Sequence, residues 1–260
     1  NDLPFHQRWG NVREGYIALS NCCAPNVTRT VAEVGNYAYN LSKEGLYVNL
    51  YGSNTLNTKT LSGETIEIEQ QTNYPWDGKI TLKVVKAPKE DYAFFLRIPG
   101  WGSGGQVFVN NSQVMGKMFS GTYFKINQKW KKGDIIELNL PMKVELMEAN
   151  PLVEEVKNQV AVKRGPLVYC LESDQLPANT SVNDVILNLN SDFKTEFTEL
   201  KNRKLLTIEA SSTIKEDSHL WKHMLYKPIS KEGKAINVKL VPYFAWGNKG
   251  QGEMTVWMSH

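Results

Sequence analysis

The hydrophobic positions of this chain change period near residue 45. From Pro25 to Leu41 the apolar residues Val27, Val31, Val34, Ala38 and Leu41 fall at steps of four, three, four and three. Such steps put them on one face of an α-helix, with Thr28, Glu33 and Asn36 mostly off the stripe. Pro25 suits the first turn, where a backbone N–H would lack a helical partner anyway, and Lys43 followed by Gly45 supplies a stop. The spacing predicts one helix over residues 25–41.

Beyond Gly45 the period becomes two. In GLYVNLYG, Leu46, Val48 and Leu50 alternate with Tyr47, Asn49 and Tyr51, and the pattern returns in ETIEIEQ, KITLKVV, YAFFLRIPGW, GQVFVNN, TYFKIN and DIIELNLP. Short alternating runs between Gly, Asn, Asp and Pro clusters indicate half-buried strands, and about seven or eight of them fit a β-sandwich over residues 46–145. In the last run either Ile135 or Ile136 opens an inward face that Leu138 and Leu140 continue. A second group, KVELMEANP, NQVAVKRGPLVYCLE, RKLLTIEA, AINVKLVPYFAW and GEMTVWMS, predicts a second sandwich over 146–260, with a polar excursion from Asp174 to Lys201. One large β domain is the alternative to two. No short fixed repeat appears, which disfavours a solenoid or propeller. The expected fold class is mainly all-β, two consecutive antiparallel β-sandwich domains behind a short helical segment.

Composition narrows the function classes. With 41% hydrophobic and 22% charged residues the chain is of globular type, and it lacks the apolar run of about 18 residues that a membrane helix needs. No signal peptide is visible. The formal charge is +3, and lysines are scattered singly, as in KVVKAPKEDY, rather than gathered into a stripe that would track phosphates. Neither nucleic acid nor a membrane is an expected partner. The chain opens on Asn1 rather than methionine, so a processed chain or part of a longer one is expected.

There are 3 cysteines, too few and odd in number for a disulfide framework. Cys170, in GPLVYCLE, falls where a strand would bury it as a small inert residue. Cys22 and Cys23 stand together in SNCCAPNVTRT, just ahead of the predicted helix and near the positive end of its dipole, with Arg29 about one turn further on. That setting favours a thiolate over a thiol. Three roles compete. The pair could cap a helix in a packed corner. A vicinal disulfide or redox pair is weaker, because adjacent cysteines close a cramped ring and the C-x-x-C spacing is absent. As metal thiolates they would supply half of a tetrahedral zinc site. His6, His219, His223 and His260 do not complete it: His219 and His223 have the i, i+4 spacing in HLWKHMLY, but no H-E-x-x-H motif surrounds them. Further zinc ligands would have to lie outside this chain.

NCCAPNVTRTVAEVGNYAY, GLYVNLY, FFLRIPGW, RGPLVYCLE and VPYFAWGNKGQGEMTVWM occur in that order between about residue 8 and residue 258. Together they resemble the C-terminal part of the β-L-arabinofuranosidases of glycoside hydrolase family 127 and the related family 146. Ala24 stands where most members carry proline, a mild departure in a spacer. The resemblance implies an N-terminal (α/α)6 barrel holding the active site and then two β-sandwiches. On that pattern residues 1–45 are the end of the barrel, 46–145 the first sandwich and 146–260 the second. It implies that Cys22 is both the nucleophile and a zinc ligand, and that Cys23 is a second zinc ligand. A Glu-x-Cys pair of ligands and a glutamate acid/base, all upstream, have no counterpart here. The implied activity is retaining hydrolysis of β-L-arabinofuranosides or related sugars of plant glycans, with a carbohydrate substrate and the missing barrel as partners. These residues alone are then expected to be inactive. Their cellular location, periplasmic or secreted against cytoplasmic, is not fixed.

The rival function is a carbohydrate-binding module in which Trp76, Trp101 and Trp246 stack on sugar rings. Tryptophans beside Gly and Pro in β proteins more often pack a sandwich corner. A purely structural role, bracing the barrel or joining a homodimer, is the third possibility, and it predicts an exposed apolar surface.

Overall fold

The computed structural model describes residues 23–200, 203–215, 225–226, 228, 233–247 and 252–260, with the side chains of Cys23 and Ala24 outside the description. Its described residues form two compact units, divided between Lys143 and Val144.

The first unit opens with helix α1 (Cys23–Glu33), a 3-10 turn over Val34–Tyr37 and strand β1 (Tyr39–Leu41). The helix starts two residues before the predicted 25–41 and stops eight residues short of it. Pro25 is tolerated as its third residue because N–H groups of a first turn have no helical acceptor. Gly35 and Asn36 then weaken the helix, and Tyr39 to Leu41 find a better partner in a strand. Ala38 and Leu41 matched the helical period by coincidence: Tyr39 and Leu41 alternate in the strand sense and pack on the sandwich core. The remaining stripe, Val27, Val31 and Val34, is 63%, 68% and 48% exposed.

Strands β2 (Gly45–Val48), β3 (Asn54–Lys59), β4 (Thr65–Thr72), β5 (Lys79–Lys86), β6 (Tyr92–Ile98), β7 (Gln106–Val109), β8 (Ser112–Gln113), β9 (Thr122–Gln128) and β10 (Ile135–Asn139) complete the unit. They form a four-stranded sheet in the order β1-β2-β6-β9 and a six-stranded sheet in the order β3-β4-β5-β10-β7-β8. One core fills the space between. Leu46, Val48, Phe94, Leu96 and Ile98 come from the first sheet, and Ile66, Ile68, Ile80, Leu82, Val84 and Leu138 from the second. The inward series of β10 runs through Ile136, while Ile135 is 39% exposed. Trp130 closes one end, donating from Nε1 to the Tyr92 carbonyl at 2.6 Å and meeting Phe94 edge-on. Strand β3 is mostly polar, and only its pairing with β4 makes it a strand.

The second unit contains β11 (Val144–Glu148), β12 (Gln159–Arg164), β13 (Leu167–Glu172), β14 (Val185–Leu187), β15 (Lys194–Leu200), β16 (Arg203–Ile214), β17 (Lys234–Pro242), β18 (Met254–Thr255) and β19 (Trp257–Ser259). Its sheet turns back on itself, since β12 pairs with β11 along one edge and, along the other, with β19 at its start and β13 at its end, while β19, β14, β16, β17 and β13 follow as successive neighbours. Val162, Tyr169, Leu171, Ile208, Val238, Leu240 and Met258 fill the interior. The polar excursion predicted between Asp174 and Lys201 holds two strands, β14 and β15. Described pairings in both units are antiparallel apart from β2 with β6 and β14 with β19. No described helix is long and apolar enough to cross a membrane.

Candidate functional site

Cys22 lies outside the described residues. Cys23 is the first residue of α1, so the pair does not precede the helix by two or three residues as expected but runs directly into it. The first turn carries no acidic residue of its own. Arg29, one turn and a half along, is exposed. Inside the helix, Thr30 Oγ1 donates to the Asn26 carbonyl at 2.9 Å.

What fixes the helix to the sandwich is β1. The Ala38 carbonyl accepts from the N–H groups of Asn49 and Leu50 at 2.9 and 3.3 Å, and β1 pairs with β2 from Tyr39 opposite Val48 to Leu41 opposite Leu46. The Tyr39 hydroxyl donates to Asn54 Oδ1 at 2.8 Å and accepts from the buried Gln70 Nε2 at 3.2 Å. Burial pushes this phenol up to about 12, although its bond to Asn54 pulls the other way. The backbone that follows the cysteines is therefore held at a defined point about fifteen residues on.

Among the described residues no group of three or more His, Cys, Asp and Glu side chains could hold a metal ion. Of the four histidines, His6, His219 and His223 lie outside the description, and His260 is exposed at the end of the chain. The zinc donors expected in this chain, Cys22 and Cys23, have their side chains outside the described residues. Their chemistry suits a thiophilic cation and their number is half of what a tetrahedral site takes. Cys170 is of the other kind, fully buried, its thiol pushed up to about 12 by burial and secondarily by Glu172. A thiol so placed is inert at neutral pH.

Among the proposed sugar platforms, Trp101 stacks on Tyr74 at 6.4 Å and 16° and packs against the first core. Trp76 and Trp246 are half-buried. An exposed aromatic with polar company, Tyr123, stands on the outer face of the four-stranded sheet beside Tyr47, Phe95 and Arg97. Sequence reasoning missed it. The signal was present in FFLRI and TYFKIN: if Phe94, Leu96 and Phe124 point inward, then Phe95, Arg97 and Tyr123 must point outward.

Two β units following one short helix define the class, a mainly all-β chain of two domains. Two family comparisons make it specific. Residues 45–142 match the middle domain of the glycoside hydrolase family 127 β-L-arabinofuranosidases, and residues 144–259 match the C-terminal domain of the same family. The chain belongs to glycoside hydrolase family 127. It is 31% identical over 247 residues to a non-reducing end β-L-arabinofuranosidase of Bifidobacterium longum subsp. longum, an alignment covering 90% of this chain and 36% of that enzyme. A solved glycoside hydrolase superimposes with a TM-score of 0.87 at 40% identity, over 92% of this chain and 39% of its own. The crystal structure of a family 127 β-L-arabinofuranosidase from Geobacillus stearothermophilus T6 gives 0.84 at 33% identity, over 92% and 37%. The chain spans a little over a third of the length of these relatives.

Proposed function

We propose that this chain is the C-terminal part of a retaining glycosidase that cleaves β-L-arabinofuranosides, or related sugars of plant glycans, with Cys22 as the nucleophile. The observation that carries it is the match of residues 45–142 and 144–259 to consecutive domains of one glycosidase family, with Cys22 and Cys23 upstream of the first. The relatives' names support the sugar class. Because those relatives are far longer, the general acid/base and the substrate pocket are assigned to sequence outside these residues, and the 260 residues alone are expected not to turn over.

In this proposal Cys22 and Cys23 are two thiolate ligands of a zinc ion whose remaining ligands lie outside the chain. Bound zinc would keep the thiols deprotonated near neutral pH and hold them in one orientation. Cys22 Sγ attacks the anomeric carbon as the bond from that carbon to the leaving oxygen breaks, and a carboxylic acid from the remainder of the enzyme protonates that oxygen. The same carboxylate then takes a proton from water, which displaces the sulfur and returns the anomeric configuration of the substrate. The chain's contribution is the cysteine pair itself, adjacent in sequence to the N-terminal end of α1, whose dipole favours an ionised thiol nearby.

The test is Cys22→Ser in the whole enzyme, assayed on an aryl β-L-arabinofuranoside beside metal analysis. Loss of hydrolysis by three orders of magnitude or more is expected, with an unchanged melting temperature of the sandwich units. Turnover near that of the parent, or a fully active enzyme free of zinc, refutes the assignment. A second reading, the Trp76, Trp101 and Trp246 binding module, is weakened by the packing of Trp101 between Tyr74 and the core.

A further inference from the structure

The outer face of the four-stranded sheet carries an arrangement that folding alone does not require. Three rows cross it. Gly45, Ala93 and Asn127 occupy one, Tyr47, Phe95 and Lys125 the next, and Asn49, Arg97 and Tyr123 the third. In the middle row Tyr47 stacks on Phe95 at 4.2 Å and 3°, and the Lys125 ammonium sits 5.3 Å from the Phe95 centroid. With one neighbour in the strand on either side, the Phe95 ring stands upright on the sheet, and it is only 8% exposed.

The third row is held differently. The Tyr123 hydroxyl donates to Asn49 Oδ1 at 2.7 Å. Asn49 directly follows β2 and Tyr123 lies in β9, so β6 runs between them, a gap of about 9.5 Å at ordinary strand spacing. A tyrosine bridges that gap only with its long axis laid across the sheet, over β6, and the Tyr123 ring meets Tyr47 at 5.0 Å and 81°. The ring is pinned at both ends and still 40% exposed. Asn49 is itself fixed, its Nδ2 donating to Asn40 Oδ1 at 2.6 Å and to the Tyr37 carbonyl at 3.1 Å. Beside it Arg97 donates from Nε to the Asn49 carbonyl. Its two Nη groups, half-buried with it, have no carboxylate or other hydrogen-bonding partner among the described residues.

A rigid aromatic ring with fixed polar groups at its rim is what a pyranose or furanose ring stacks on. A guanidinium held by one nitrogen, with its fork open, is matched by a planar carboxylate. Lys125, 52% exposed at its side chain and only loosely paired with Glu44 at 3.8 Å, adds positive charge to the same face. The geometry points to a surface subsite for an acidic glycan, in which a uronate ring stacks on Tyr123 and its carboxylate pairs with Arg97. This goes beyond the cysteine chemistry and does not depend on it. It would hold the enzyme against charged polysaccharide rather than cleave it.

Calorimetric titration of the full chain with trigalacturonate at low ionic strength tests it, with arabinotriose as the neutral comparison and tetraglutamate as a carboxylate without a sugar. Saturable binding of trigalacturonate is expected, at least tenfold tighter than either comparison, and weakened by 0.5 M salt. Tyr123→Ala and Arg97→Gln should each weaken it tenfold or more. Tyr123 also packs edge-on against Tyr47, so Lys125→Gln serves as a milder variant with an expected loss of about threefold, and ring-proton shifts of Tyr123 on titrating the parent give a readout without substitution. No saturable binding, binding unmoved in Tyr123→Ala, or unshifted Tyr123 resonances would overturn the site. Arabinotriose or tetraglutamate bound as tightly as trigalacturonate would overturn the uronate assignment.

Discussion

Gly45→Ala is the sharpest test of how the first unit is built. Gly45 lies opposite Ala93 in the parallel pairing of β2 with β6, and a Cβ there would fall 2.1 Å from the Ala93 carbonyl oxygen and 2.8 Å from its carbon. The obstacle is backbone. It cannot give way, because β6 is tied along its other side to β9 from Tyr92 to Ile98. The four-residue β2 must therefore move outward, and it carries Leu46 and Val48, both fully buried. Overpacking of this sort costs about 1 to 3 kcal/mol, and displacement of Leu46 puts this case near the top, about 3 kcal/mol. In a unit of this size that lowers the melting temperature by about 10 °C. Gly52→Ala is the matched control: nothing lies within 4 Å of its Cβ, so it should be neutral or gain about 0.5 kcal/mol from a stiffer unfolded chain. Both are read by differential scanning calorimetry of the parent and variants. A Gly45→Ala protein that melts with the parent, or a Gly52→Ala protein as damaged as it, refutes the reasoning.

Alkali should unfold the second unit early. Burial pushes Cys170 and Tyr169, adjacent in β13, each up to about 12; the unfolded chain releases these protons from about pH 9 upward while the folded chain keeps them. Their contribution is whole below pH 9 and is lost as pH climbs to 12, so urea midpoints should fall across that window, less steeply in Cys170→Ala; equal slopes would contradict it. Trp130→Phe removes the buried donor to the Tyr92 carbonyl and should cost about 2 kcal/mol, seen as a lower urea midpoint without a change in slope. Tyr39→Phe removes the hydroxyl between Asn54 and Gln70 and should cost about 1 kcal/mol. Its hydrogen exchange should quicken at Asn49, whose N–H is held by Ala38, and stay slow at Ile68 and Leu82; a uniform rise would show that β1 is no separate anchor.

Much of this fold is written in period. ETIEIEQ and KITLKVV became β4 and β5 with strict alternation of burial, because each strand has one wet face and one dry. β3 and β15 escaped notice because NTLNTK and KTEFTEL have little apolar content, and their strand character comes from the neighbour they pair with. The helix was overextended for the opposite reason, Ala38 and Leu41 fitting two periods at once. Position and chemistry left three roles open for the cysteine pair, and its nucleophile and zinc roles were expected from the family resemblance alone. The outer-face cluster was not legible, since it depends on β2, β6 and β9 being adjacent, and the parallel placement of β2 beside β6 joins residues with no local signal.

Strand β6 shows why burial and function can share one sequence. Phe94, Leu96 and Ile98 face the core, and their side chains are fully shielded, as any sandwich strand requires. Phe95 and Arg97 point the other way, where an ordinary strand would be polar and solvated. Phe95 is nonetheless 8% exposed, between the Tyr47 ring of one neighbouring strand and the Lys125 ammonium of the other. Half-burying an arginine whose fork meets no carboxylate among the described residues brings little stability, since the guanidinium gives up hydration and gains there one bond to a carbonyl. The Tyr123 to Asn49 link adds order to a ring that remains in contact with solvent, again a weak gain for the fold alone. The two costs fall within one row of one sheet, and a ligand that stacks on the ring while pairing with the guanidinium would offset both together.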